Sequence, residues 1–327
     1  MKAVRIHEDG GPEVLRYEEV DDPVAGENEI LIRLRAASLN HLDCWVRQGL
    51  PSVPKPRILG ADGAGIVEAL GPGADRVTEG DRVVINPGLD DGARIVGEHM
   101  DGTHAELVSV PAENVYPVPE GLSFEEAAAF PLVFETAYRM LVTKANVRLG
   151  EWVLVWGIGS GVASASFAIA RALGARTIVT SSSADKLKRA KELGADAAVN
   201  HADDDVAAAV KEATGGRGVD LVVEHVGEAT WKTSLQAAGP NARIVVCGAT
   251  SGPNPPAQLH RIWWKQLTIF GSTMGTKEDF EGAYELVARG DARPIVDRVF
   301  PLEEAAAAHA YLEEGRQFGK VVLTIPA

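Results

Sequence analysis

The feature that most restricts how this chain can fold is the stretch VLVWGIGSGVASASFAIARALGA, Val153 to Ala175. It begins as a short apolar run, breaks at Gly157, Gly159 and Gly161, and resumes with Val162, Ala165, Ile169 and Leu173 at helical spacing. Trp152 to Ala170 carries no charge, which by length alone would suit a bilayer span. The composition argues otherwise, because three glycines interrupt the run and the remainder is rich in Ala and Ser. A buried strand, a tight turn and a helix packed on a sheet account for that mixture. In a dinucleotide fold such a turn brings backbone N–H groups and a helix N-terminus against a pyrophosphate, and only small residues leave room for it. Gly157, Gly159, Ser160, Gly161 and Val162 are therefore the predicted cofactor corner. A strict G-x-G-x-x-G would place glycine at Val162; Gly161 comes one residue early and Ala163 one late. A glycine turn without a ligand is the competing reading of the motif alone.

The rest of the chain supplies the context. From Met1 to about Val118 short apolar runs (KAVRI, EILIRLRAA, AGIVEAL, DRVVIN, HAELVSVP) alternate with Gly and Pro, the texture of a mostly antiparallel β domain. From about Ser123 the texture changes. FEEAAAFPLVFETAYRML has helical period, and strands then alternate with helices: Trp152 to Trp156, Thr177 to Thr180, Ala197 to Asn200, Leu221 to Glu224 and Arg243 to Cys247. That rhythm predicts an α/β chain whose doubly wound parallel sheet has helices on both faces. The expected organisation is a β domain over 1–122, a dinucleotide-binding domain over 123–272, and a return to the first domain over 273–327.

Composition narrows the partners. A formal charge of −14, with no run of Lys or Arg, disfavours nucleic acid and anionic membranes. Cys44 and Cys247 form no CxxC pair, and MKAVRIHEDGGPEVL has no apolar core of signal-peptide length, so a cytoplasmic location is expected. At the end of the second parallel strand, where an NAD site usually places an acid on the ribose, TIVTSSSADKLKR has Ser181, followed by Ser182, Ser183, Lys186 and Arg189. Without an acid to repel it, a 2′-phosphate could take hydroxyl hydrogen bonds and a lysine charge, which favours NADPH while leaving NADH open. The bland alternative is a helix start capped by Ser183 or Asp185.

The segments AASLNHLDCWVRQG, ILGADGAGIVEALGPG, GDRVVIN, GTHAELVSVP and FGKVVL, in this order, make the chain resemble the medium-chain dehydrogenase/reductase superfamily over nearly its whole length. The resemblance implies a GroES-like catalytic domain joined to a Rossmann domain. Zinc alcohol dehydrogenases of that superfamily place catalytic ligands where this chain has Asn40, Ala61 and about Leu132, and NPGLDDGARIVGEHMDGTHAEL crosses the structural-zinc region without cysteine. A substitute site from His41, Asp43, Cys44 and Asp62 is the only metal alternative that the spacing leaves. The expectation is no zinc, and the pattern is similar to the zinc-free quinone oxidoreductase branch. That resemblance implies Asn40 and Thr136 near the nicotinamide, with Lys186, His201 and Arg316 near the adenosine phosphate; His201 stands where a tyrosine is common.

Without a Lewis acid, a conjugated acceptor is the easiest substrate, because its own double bonds spread the incoming charge. The first expectation is an NADPH-dependent, zinc-free reductase of enones, quinones or related electrophilic carbonyl compounds. A zinc-independent alcohol or aldehyde dehydrogenase is the second, and a cofactor-binding protein with little turnover the third. Besides Asn40, the candidates for proton delivery are His41, Asp43 and His99, with water as a further possibility. By the same resemblance a homodimer is expected, paired through the edge strand LTIFGSTM, whose Leu267, Ile269 and Phe270 would otherwise invite aggregation.

Overall fold

The computed structural model describes residues 1–326. The chain divides into two compact units, one formed by residues 1–132 with 294–327 and the other by 133–293. The second unit thus begins and ends later than the change of sequence texture suggested. Its last helix, Lys277–Ala288, belongs to it because Phe280 is fully buried and the buried Asp279 binds Arg139 and Thr143 of the same unit.

In the first unit the strand Glu29–Ser38 (EILIRLRAAS) sets the pattern. Ile30, Ile32, Leu34 and Ala36 alternate inward, as the period of two in the sequence requires. Within a seven-stranded sheet it lies between Asp62–Leu70 and Lys320–Thr324, both antiparallel to it. Two registers fix the end of this strand: Ser38 faces Asp62, and Val322 faces Ser38. Carried two residues further, with the Leu39 N–H donating to the Val321 carbonyl at 2.9 Å, the second register brings Asn40 opposite Lys320. The strand order therefore gathers residues from three distant parts of the sequence at one end of the sheet.

The expected long helix from Phe124 is broken in two. Ser123 caps Phe124–Ala128, accepting the Glu126 N–H at 3.2 Å while the Glu126 carboxylate accepts the Ser123 N–H at 3.1 Å. Pro131 then opens a separate helix, Pro131–Tyr138, since its ring cannot sit in a helix interior; a π-helical segment, Arg139–Lys144, follows.

The second unit holds a six-stranded sheet, parallel throughout, in the order Ala197–Asn200, Arg176–Ser181, Trp152–Val155, Val219–Glu224, Ala238–Val246, Thr268–Gly271. Each strand overlaps the segment that the sequence indicated, but Ala238–Val246 begins well before the predicted Arg243 and Val219–Glu224 before the predicted Leu221. The order reverses beside Trp152–Val155, so the carboxyl end of that strand is the topological switch point, the place where open α/β sheets bind ligands. No helix among the described residues is long and apolar enough to cross a membrane.

Candidate active site

At the switch point the chain leaves Trp152–Val155 and turns through Gly157, whose φ of 57° is the left-handed conformation that glycine adopts without cost. The turn is pinned to the neighbouring strand: the Gly157 N–H donates to Thr180 Oγ1 at 3.1 Å and the Ile158 N–H to the Thr180 carbonyl at 2.9 Å. Ser160 explains the departure from the strict glycine pattern. It is the N-cap of helix Gly161–Ala172, its Oγ accepting the Ala163 N–H at 3.2 Å. The buried residues of that helix are Ala163, Ser164, Ala165, Ser166, Phe167, Ile169 and Ala170; of the four residues predicted to face the sheet, Ala165 and Ile169 are fully buried and Val162 and Leu173 only half-buried. The Gly161 and Val162 amides open the helix and have no acceptor within it. With the positive end of the helix dipole they form a cradle that suits a pyrophosphate.

The other predicted cofactor residues take separate places. Ser181, at the end of Arg176–Ser181, is buried and its Oγ accepts the Ser183 N–H at 3.1 Å; Ser182 is exposed. Ser183 is the N-cap of Ala184–Glu192, and Lys186 lies on that helix, half-buried. His201 Nδ1 lies 3.2 Å from Thr180 Oγ1, so this histidine braces the residue that pins Gly157. Thr136 is buried on Pro131–Tyr138. Arg316 belongs to the first unit, where it pairs with Glu314 and lies 5.1 Å from the Tyr311 ring centre. Glu224 accepts the Val226 and Gly227 N–H groups and the Thr230 and Ser234 hydroxyls, so its carboxylate is used entirely to close its strand end.

In the first unit, the sheet register gathers Asn40, Asp62 and Lys320 into a buried knot. Lys320 Nζ donates to Asn40 Oδ1 at 2.5 Å and to Asp62 Oδ2 at 3.0 Å, and Asn40 Nδ2 donates to the same Asp62 oxygen at 2.9 Å. The other carboxylate oxygen, Oδ1, accepts the Leu132 N–H at 2.9 Å. Ser38 Oγ lies 3.1 Å from Asp62 and 2.8 Å from the Ala128 carbonyl, two acceptors that share its one hydroxyl proton in turn. Asp62 is fully buried and Lys320 is 3% exposed, so the knot balances one negative against one positive charge almost out of reach of water.

Two of its members escaped sequence reasoning. Lys320 figured only as part of FGKVVL and Asp62 only as a conceivable metal ligand. A signal was present: each is a charge set in a run too apolar or too glycine-rich to be a surface, GADGAG and GKVVL.

The knot also decides the fit of zinc. Asn40 offers an amide and Ala61 an aliphatic side chain, while Leu132 contributes its backbone N–H, a donor. The one carboxylate is already neutralised by an ammonium that would repel a cation. These residues do not fit a zinc ion. The substitute set does not fit either. Cys44 is buried with its Sγ 3.7 Å from His309 Nδ1, Asp43 commits both carboxylate oxygens to the Asn40 and Gly60 N–H groups, and Asp62 is bound to Lys320. Among the described residues no group of three His, Cys, Asp or Glu side chains could hold a metal.

The candidate proton carriers take different positions. Asp43 Oδ2 accepts the Asn40 N–H at 2.7 Å and its Oδ1 the Gly60 N–H at 3.0 Å, so it clamps two loops. Burial pushes its carboxyl up to about 7, against the pull of those two donors and of Lys320. His41 is half-buried at the start of helix His41–Arg47, its ring 6.3 Å from that of Trp45. His99 is exposed, and its Nδ1 accepts the Ile95 N–H at 3.1 Å, a loop bond. His104 and His309 were not predicted. Both are fully buried with rings 5.8 Å apart, and burial drives His104 down to about 3.

Comparison with known proteins agrees with this architecture. Residues 26–120 match the model of the alcohol dehydrogenase GroES-like domain, and residues 161–289 that of the zinc-binding dehydrogenase family. A quinone oxidoreductase of Pseudomonas aeruginosa is 33% identical, over 98% of this chain and 99% of its own. Among solved structures, an NAD-dependent alcohol dehydrogenase superposes with a TM-score of 0.96 at 45% identity, over 100% of both chains. A mycobacterial protein complexed with NADPH gives 0.86 at 32% identity, over 99% of each chain. The chain belongs to the medium-chain dehydrogenase/reductase superfamily and is an oxidoreductase of that kind.

Proposed function

We propose that this oxidoreductase reduces electrophilic enones, quinones or related carbonyl compounds with NADPH and without zinc. The observation that carries the reading is the charge-balanced knot in which Asn40, at one of the positions where a zinc ligand would stand, is bonded to Asp62 and Lys320. The absence of an acid at the end of Arg176–Ser181, where Ser181, Ser182 and Lys186 stand, supports NADPH, as does the NADPH complex of the mycobacterial relative. The quinone oxidoreductase relative supports the acceptor class.

In this reading the amides of Gly161 and Val162 hold the pyrophosphate, and Thr136, Lys186, His201 and Arg316 are proposed to complete the cofactor site. The bound reduced nicotinamide supplies a hydride. As the β-carbon of an enone takes that electron pair, the C=C electrons move toward the carbonyl and charge gathers on its oxygen. Asn40 meets that oxygen with an amide N–H. A proton then completes the saturated ketone at the α-carbon, with His41, Asp43, His99 and solvent as the candidate sources. The second reading, a zinc-independent alcohol dehydrogenase, has support of its own in the 45% identical alcohol dehydrogenase structure.

We further propose a homodimer of the cytoplasm. Thr268–Gly271 is the edge strand of its sheet, Ile269 is 39% exposed, and the nearby Leu259, Trp263 and Trp264 are exposed to 64% or more. Sedimentation at micromolar concentration checks this, and a monomer refutes it.

The decisive experiment is a titration with NADPH and with NADH in the presence of EDTA, followed by a panel of enones, quinones and alcohols. Tighter NADPH binding with enone or quinone turnover is expected. Preferential NADH binding with alcohol oxidation alone would replace this reading by the second one.

A further inference from the structure

The orientation of the Asn40 carboxamide is over-determined. Its Oδ1 meets the Lys320 ammonium and its Nδ2 meets the Asp62 carboxylate. Turning the amide over would set NH2 against ammonium and carbonyl oxygen against carboxylate, two repulsive contacts in a nearly dry site. Only one orientation satisfies both neighbours. Nδ2 carries two hydrogens and Asp62 takes one. We propose that Lys320 and Asp62 are positioning residues, which hold the Asn40 carboxamide so that its second Nδ2–H is the group offered to the substrate oxygen.

This assignment rests on the proposed reductase reading and adds to it a cause for the donor's direction and strength. The ammonium on Oδ1 draws electron density through the amide and makes the N–H a stronger donor. The carboxylate keeps the ammonium neutralised in a site where an unpaired charge would not be tolerated. Asp62 is itself tied to Leu132 and Ser38, and Asn40 is tied through its own N–H to Asp43, so neither partner is free to swing. Lys320 thus contributes through Asn40 rather than by contact with the substrate.

That distinction is testable by a cycle of four proteins: the unaltered chain, N40A, D62N/K320M, and N40A with D62N/K320M. N40A and D62N/K320M are each expected to lower kcat for enone or quinone reduction on the order of 100-fold, the scale of one lost oxyanion donor. KM for the acceptor and the affinity for NADPH should change less than about threefold, and the combined variant should lose no more than either parent. Losses that multiply would mean that the ion pair acts independently of Asn40, and would overturn the proposal.

A second measurement needs no turnover. In isotope-labelled unaltered protein the two Asn40 Nδ2 protons should give distinct, slowly exchanging resonances, which D62N/K320M should merge or lose to fast exchange. Nδ2 protons that exchange fast in the unaltered protein, or that are indifferent to D62N/K320M, overturn the positioning role. If the unaltered protein reduces no acceptor in the panel, the functional reading fails while the resonances still decide the orientation. If D62N/K320M does not fold, the unaltered protein's resonances decide alone.

Discussion

The Asp62 knot and the His104–His309 pair lie in the same unit and are buried to the same degree, yet they treat charge in opposite ways. In the knot the hydrogen-bonded neighbours are complementary, and a full ion pair survives out of water. In the histidine pair both ring nitrogens of His104 and Nε2 of His309 have no hydrogen-bond partner among the described residues. His309 Nδ1 accepts from the fully buried Arg47 at 3.1 Å, and that cation is answered by Glu313 at 2.5 Å. Burial, His104 and Arg47 all oppose a proton on His309, and burial and Lys320 oppose one on His104. Burial presses both rings toward the neutral form and the neighbouring cations add to it, whereas equal depth leaves the knot its ion pair because the partners there are complementary. Where donors and acceptors match, charge is kept, and where cations crowd unpaired rings, the rings stay neutral.

The largest effect separates removing one charge from removing both. Lys320→Met leaves Asp62 as a buried carboxylate with no cation, and should cost about 3–5 kcal/mol. D62N/K320M removes both charges and should cost markedly less, because no uncompensated charge is left in the site. Urea denaturation of both variants at pH 7 checks the difference. A single substitution no worse than the double one would mean that the pair is not balanced as the distances imply.

How far these features were legible in the sequence depends on the range of the interactions. The parallel sheet was legible because most of its strands are local apolar runs closed by a turn; Ala238–Val246 was seen only in its second half, since AGPN reads as a turn. Gly157 and Ser160 were legible because the turn and the helix start are neighbours in the chain. The long helix from Phe124 was misjudged because periodicity outvoted Pro131, a local steric veto. Asn40 came from resemblance, whereas its partners were hidden. Asp62 and Lys320 are 258 residues apart, and only the two strand registers bring them together. His104 and His309 were silent for the same reason: His104 figured only as part of GTHAELVSVP, and the burial of both depends on packing between distant segments.

Acid should distinguish the two clusters next. A histidine whose pKa is about 3 when folded and 6.5 in the open chain leaves stability intact above pH 6.5, and stability is lost as pH falls toward 3. At pH 5 His104 alone accounts for about 2 kcal/mol of that loss. His104→Phe keeps a ring of similar size and removes the titration, so its stability should fall less steeply than that of the unaltered protein between pH 6.5 and 5. Parallel stability curves in this window would show that His104 is not held neutral by its surroundings.

The smallest effect concerns a shared proton inside the knot. Ser38 Oγ stands between Asp62 at 3.1 Å and the Ala128 carbonyl at 2.8 Å, and its single hydrogen can satisfy only one of them at a time. The shorter contact favours Ala128, which leaves Asp62 with the Asn40, Lys320 and Leu132 donors and only a fraction of the hydroxyl. Ser38→Ala should therefore cost about 1 kcal/mol, the scale of one ordinary hydrogen bond, rather than the larger amount attached to a charged acceptor. The Asn40 side-chain resonances should keep their slow exchange in this variant, because both groups that orient the amide remain. A loss above about 3 kcal/mol, or an Asn40 amide set free by Ser38→Ala, would make the hydroxyl a full member of the knot and Lys320 less sufficient as its counterweight.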